Sequence, residues 1–206
     1  MSHTRQRRRI LQFERGASGA QPRCKKTSSQ WERKSCDIVS DVDLSEDLQI
    51  IANQEERLKY TVFDEESAWK IGRRLRDMAI TRNAPLVIDV RRFGQPLFYC
   101  ALAGSTPDNA DWARRKSNVV ARFHRSSYGL GLELQHKNTS LADRFGLMLT
   151  DFAAHGGAFP VTVAGSGVIG SIAVSGLPQR ADHDMVVEAL CAELSCEYSD
   201  LKLSRD

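Results

Sequence analysis

Three groups of residues have the types and spacing to do chemistry. The first is His155-Gly156-Gly157, an imidazole beside two residues without side chains, where a ligand could reach the backbone. Imidazole is the commonest side-chain metal ligand and a usual axial ligand of haem iron. One histidine does not make a metal site, however, and a histidine packed or hydrogen-bonded at a turn is the commoner outcome. The second group is Arg114-Arg115-Lys116, a short cationic run that suits a carboxylate or a phosphate, and equally a solvated or interface face. The third is Asp89, a carboxylate among Leu86, Val87, Ile88 and Val90. It could do acid–base work, but buried acids are usually paired, and Arg91 and Arg92 are its near partners in sequence.

Other motifs are missing. No Ser/His/Asp arrangement, P-loop, HExxH or CxxC pair occurs, and Gly165-Ser166-Gly167 and Gly129-Leu130-Gly131 lack the remainder of a dinucleotide fingerprint. His124, His136 and His183 stand at no metal-ligand spacing from His155. The residues therefore name no reaction.

The elements that must position these groups are easier to read. Asp64 is a candidate N-cap, with Glu65 and Glu66 at the positive end of the helix dipole and Ala68, Ile71, Leu75 and Met78 as a buried stripe. An earlier helix is expected from Ser45, with Leu48, Ile51 and Leu58 on one side. Pro85 opens the strand LVIDVRR, and a Phe93–Pro96 turn leads to a second strand, Leu97–Leu102, apolar enough on both faces to be covered on two sides. Thr106-Pro107 starts the next helix, with Trp112, Val119, Val120 and Phe123 facing inward. Ser126–Gly129 is expected to break or bend it, Leu130–Gln135 to resume it, and Ser140 to start one short turn ending at Gly146. Asp182 is read as the cap of the last helix, which buries Val186, Ala189, Leu190 and Leu194; residues after Cys196 are expected to fray.

The centre of the chain is a hairpin. Pro160–Ala164 and Val168–Ser175 are strand-like runs joined by Gly165-Ser166-Gly167. Along the second run Ile169, Ser171, Ala173 and Ser175 share a face, and three of the four are small. Such a face admits a closely packed helix or a neighbouring subunit, the helix being the plainer expectation. Gly170 within the run signals a bulge or a close backbone contact.

Composition bounds the rest. At 206 residues with 41% hydrophobic content, one domain with one core is the default. No apolar run approaches the roughly 20 residues that cross a bilayer, and no signal-peptide pattern follows the basic start. Five cysteines without CxxC spacing fit free thiols in a cytoplasmic protein. The net charge of +3 is unevenly spread: residues 1–40 carry ten Lys/Arg against three Asp/Glu, so the remainder is acidic. Nucleic-acid binding by the domain is not implied. Residues 1–44 read as a basic extension without apolar period, 45–196 as the domain and 197–206 as a tail.

The segments AAHGGAFPV, GVIGSIAVSGLP and Asp182-His183 resemble the GlcG/HbpS-like superfamily, also labelled haem-degrading-like. VIDVRRFGQPLFY, GSTPDNADWARRKSNVVARFHRSS and DHDMVVEAL resemble its uncharacterised-protein-family (UPF) branch, so that the similarity covers about residues 47–195. The resemblance implies a profilin-like α/β (α+β) fold, an antiparallel sheet with helices packed on its faces, usually in a symmetric homo-oligomer. It implies no activity for this branch. The expectation for function is a homo-oligomeric binding or scaffold protein, not an enzyme, with an unidentified small ligand or protein partner. The candidate ligand-binding residues are His155, Gly156, Gly157, Arg115 and Lys116. The alternative is a haem- or iron-binding protein, degradative or not, with His155 on the metal and Arg115 or Lys116 near the propionates.

Overall fold

A computed structural model describes residues 41–204, with side chains from Leu44 onward. The basic extension inferred for 1–40 lies outside the described residues. In order, the elements are α1 (Asp41–Arg57), β1 (Lys59–Tyr60), α2 (Glu65–Thr81), β2 (Val87–Arg92), β3 (Gln95–Ala101), α3 (Pro107–Phe123), α4 (Ser127–His136), α5 (Leu141–Phe145), β4 (Ala158–Val163), β5 (Gly167–Ser175) and α6 (Gln179–Leu194). A single 3-10 turn, Tyr198–Asp200, follows.

The five strands form one sheet in the order β1-β4-β5-β2-β3. The pairs β4–β5, β5–β2 and β2–β3 are antiparallel, and the two-residue β1 lies parallel to β4. The layers follow from alternation along the strands. Ile172 and Val174 of β5, with Ile88 and Val90 of β2, face α2 and α6 and meet Ile71, Leu75, Met185 and Leu190. Val87, Ala158 and Ala173 point the other way, onto Ala113 and Val120 of α3. The sheet is thus sandwiched between helices, as the mixed α/β expectation required. The small-residue face of β5 is what admits α3.

Two positions explain local geometry. The pairing of β4 with β5 slips between Val161 and Thr162, and a Cβ on Gly170 would stand 2.0 Å from the Arg91 carbonyl oxygen. Gly170 is therefore both the bulge and the close approach. Asp64 caps α2 by accepting from Ser67 N at 2.8 Å.

Several boundaries differ from the sequence expectation, each for a physical reason. α1 starts at Asp41 and buries Leu44 against Tyr128, Leu132 and Leu203. Ser126–Gly129 does not break a helix: the break falls at His124, which is left-handed at φ 54, and Ser126 caps a new helix by accepting from Gly129 N. β3 is an edge strand, not a covered one, with Tyr99 53% exposed. Nor do the described residues after Cys196 fray. Leu201 and Leu203 are buried, and Gln54 donates from Nε2 to the Leu201 carbonyl at 2.7 Å.

Candidate functional site

The residues 153–157 that carry the His-Gly-Gly motif form the approach to β4, and three helices hold them. From α3, Lys116 points inward beside Ala113 and Val120 and is only 3% exposed. Its ammonium donates to the Gly156 carbonyl at 2.6 Å, the Val174 carbonyl at 2.9 Å and Asp182 Oδ2 at 2.8 Å. Three acceptors saturate an ammonium's three donors. From α4, Ser127 Oγ donates to the His155 carbonyl and accepts from Ala158 N. From α6, Gln179 Oε1 accepts from Gly156 N at 3.4 Å.

These contacts reassign the glycine pair. A Cβ on Gly156 would lie 1.8 Å from the Gln179 carbonyl oxygen, so the motif's backbone is approached by α6 of its own chain. Gly157 has φ +121, and a Cβ there would meet Val174 O at 2.5 Å and Lys116 Nζ at 2.6 Å. Both glycines are buried. They make room for a lysine and a helix turn.

Asp182 is likewise not a cap. α6 starts at Gln179, with Pro178 at the N-cap, and Asp182 sits one turn inside. There its Oδ1 accepts from Leu177 N at 3.0 Å while Oδ2 receives Lys116. Burial lowers the Lys116 pKa and raises that of Asp182, and the attraction between the two opposes both shifts. The pair ties α3, β5, α6 and the glycine turn at one point.

His155 sits at the outer rim, its ring edge-on to Trp112 with centroids 5.1 Å apart. Desolvation first, then the charges of Lys116 and Arg115, hold its pKa below the usual imidazole range, so it is neutral at pH 7. Arg115 lies over Trp112 at 4.1 Å and gives its Nε proton to Asp111 Oδ2 at 2.8 Å. Trp112 Nε1 donates to Asp108 Oδ2 at 3.1 Å. Between these groups and the start of α6 opens a cleft of about 260 Å³, lined among others by Asp108, Asn109, Trp112, His155, Ser175 and Gln179.

The structure thus brings His155, Gly156, Gly157, Arg115 and Lys116 into one region but gives them different work. His155 is on the cleft wall, and Arg115 supports Trp112. Lys116 and the glycines build the floor, so Lys116 does not present a free charge to an anion. Asp89 is elsewhere: Arg91 Nε reaches its Oδ2 at 2.7 Å, the structural pairing expected from sequence, and burial raises its pKa. His183 is fully buried, with Nε2 2.8 Å from Gln54 Oε1, and desolvation pushes its pKa down to about 3. Trp112, Asp108, Ser175 and Gln179 were not singled out as site residues from sequence. The only available signal was the one-turn spacing of Asp108 and Trp112 at a helix start, where negative charge has a sufficient structural reason.

Comparison with known proteins places this architecture in a family. The pattern that defines the family described as "Haem degrading protein HbpS-like" matches residues 63–191, and the chain belongs to that family. Within it, the chain is 58% identical over 164 residues to a UPF0303 protein of Paraburkholderia xenovorans, an alignment covering 80% of this chain and 99% of that one. Among solved structures, the Ybr137w protein matches with a TM-score of 0.67 and 27% identity over 72% of this chain and 87% of that one. A structure described as a PduOC:haem complex matches with a TM-score of 0.55 and 16% identity over 65% and 94%, a likeness of fold.

Haem is the cofactor that the family description brings forward. One neutral imidazole at the rim suits an axial ligand. The remaining chemistry does not fit. The Lys116 ammonium is saturated, the Arg115 guanidinium is taken by Asp111 and Trp112, and the cleft is smaller than the 300–1,000 Å³ typical of enclosed sites for drug-sized ligands. Among the described residues, no three His, Cys, Asp or Glu side chains are grouped to hold a metal ion.

Proposed function

We propose that this chain is a homo-oligomeric small-ligand-binding protein of the cytoplasm whose site is the cleft walled by Trp112, His155, Ser175 and Gln179. The observation that carries the reading is the cleft itself. It is a concavity of about 260 Å³, apolar at Trp112 and polar at Asp108, Asn109, His155 and Ser175, set on a floor that the Lys116–Asp182 pair makes rigid. Preformed concave sites with a few convergent polar groups are the usual form of small-ligand sites. The side chains with the greatest chemical potential, Lys116 and Asp182, are engaged in structure, which favours binding over turnover. Assembly is supported by the β3 edge, where Tyr99 of the strand, Phe93 of the preceding turn and Trp69 of α2, packed on Phe98, are 53%, 52% and 56% exposed. Among the described residues, no helix is long and apolar enough to cross a membrane.

The test is a thermal-shift screen of the full chain with polar fragments no larger than the cleft, repeated on Trp112→Ala. Ligands that bind the folded state raise its melting temperature by mass action. Hits that lose their effect in the variant support the cleft, and hits that stabilise both proteins equally contradict it.

A second reading, haem binding, is favoured by one residue, the neutral rim imidazole of His155. It predicts a Soret shift that saturates at fixed stoichiometry in the full chain and weakens in His155→Ala. An unchanged haem spectrum removes it.

A further inference from the structure

The cleft has two electrostatic poles, and they differ in sign. The first is the start of α6. Pro178 offers no side-chain cap, and the first backbone bond of that end runs from Asp182 N to the Pro178 carbonyl. The N–H groups of Gln179, Arg180 and Ala181 thus have no acceptor among the described residues, at the positive end of a 16-residue helix. A second observation points to the same place. Ser175 is 4% exposed and lines the cleft, and its hydroxyl takes part in none of the side-chain hydrogen bonds among the described residues, so it is open to the cleft. Strand alternation puts Ser175 on the α3 side with Ala173, and its position past the end of the Ala113–Val120 contact aims it into the cleft beside Asn109 and Trp112.

The other pole is Asp108. Its carboxylate holds Trp112 Nε1 and has no ion-pair partner among the described residues, whereas the neighbouring Asp111 is bonded to both Arg114 and Arg115. Lys116 and Asp182 cancel each other beneath the floor. A dianion would gain at α6 and be repelled at Asp108; a plain cation would meet the reverse.

We infer that the cleft takes a small zwitterion, a short-chain amino-carboxylate, with its carboxylate on Ser175 Oγ and the free N–H groups of α6 and its ammonium on Asp108. This rests on the cleft being the ligand site and adds the ligand's class. The binding is non-covalent, and the unpartnered hydroxyl of Ser175 acquires its acceptor on complex formation.

Calorimetric titration of the full chain tests it with glycine, β-alanine and γ-aminobutyrate, against propionate, propylammonium and neutral N-methylacetamide. At least one zwitterion is expected to bind about tenfold or more tightly than propionate and propylammonium, the scale of one charge-assisted hydrogen bond. Asp108→Asn, which keeps an acceptor for Trp112, should erase that preference by weakening the zwitterion and, with the repulsion removed, strengthening propionate. Ser175→Ala should weaken the zwitterion and propionate alike. Equal affinity for propionate and every zwitterion, or a preference that survives Asp108→Asn, overturns the inference. If propionate or N-methylacetamide binds in a Trp112-dependent way and no zwitterion does better, the class is wrong and the cleft stands. If no probe binds and the fragment screen is also empty, both readings fall.

Discussion

Lys116 and Asp182 occupy the position where a single substitution has the largest consequence. Their charges are out of water, at 4% and 2% side-chain exposure, and each is tolerable because the other and the surrounding carbonyl and N–H groups complete its bonds. Asp182→Ala leaves an ammonium buried with carbonyls alone, and unfolding by denaturant should show a loss of about 3–5 kcal/mol. A cost within the scatter of surface substitutions would mean that the pair is not buried as described. His183 makes a pH prediction. Its ring lies against Tyr128 and Phe159 and stays neutral down to about pH 3, whereas in the unfolded chain it protonates at its ordinary 6.5. Its contribution is therefore complete above pH 6.5 and is lost as pH falls, at about 1.4 kcal/mol per pH unit between 6.5 and 3. Stability curves of wild type and His183→Gln should converge by that slope on acidification; parallel curves would contradict it.

At the scale of elements, the glycine turn and the C-terminal segment depend on contacts distant in sequence. Gly156→Ala places a methyl 1.8 Å from the Gln179 carbonyl oxygen, which is helix backbone and cannot rotate aside, so α6 must separate from the turn. Hydrogen exchange should rise from Asp182 onward in α6, where the backbone bonds begin, and at 155–158 before it rises in β2. Leu201→Ala should cost about 2–5 kcal/mol, as for a fully buried leucine; a frayed segment would lose almost nothing. These cases show why legibility was uneven. Helix α2 and the β4–β5 hairpin could be read because capping, periodicity and a glycine turn are local. The ends of α6 and of the chain could not, since Asp182 looks like a cap until Lys116, 66 positions away, is placed beside it. Lys116 itself was hidden in a run of three cations whose first, Arg114, faces solvent and whose second, Arg115, packs over Trp112. His-Gly-Gly was legible as an unusual spot, but whether a ligand or the protein's own helix approaches it is decided by tertiary contact alone.

For the whole molecule, the three-layer arrangement leaves one sheet edge, β3, with aromatic side chains in water, while β1 is only two residues long at the other. Exposed edges of this kind are protected by pairing or by charge. Light scattering after size-exclusion chromatography should therefore give a multiple of 23.0 kDa for the full chain, and Trp69→Glu with Tyr99→Lys should reduce it. A monomeric wild type would contradict the assembly.

In the proposed function, the cleft beside Trp112 is where this protein meets its ligand. The chain has three tryptophans, so 15N-indole labelling yields three resolved signals and a direct reading. On titration with the fragments that stabilise the protein, the Trp112 indole signal should move in a saturable way while that of Trp69, on the β3 edge, stays still. Movement of Trp69 with Trp112 unchanged would put the ligand elsewhere and contradict the account.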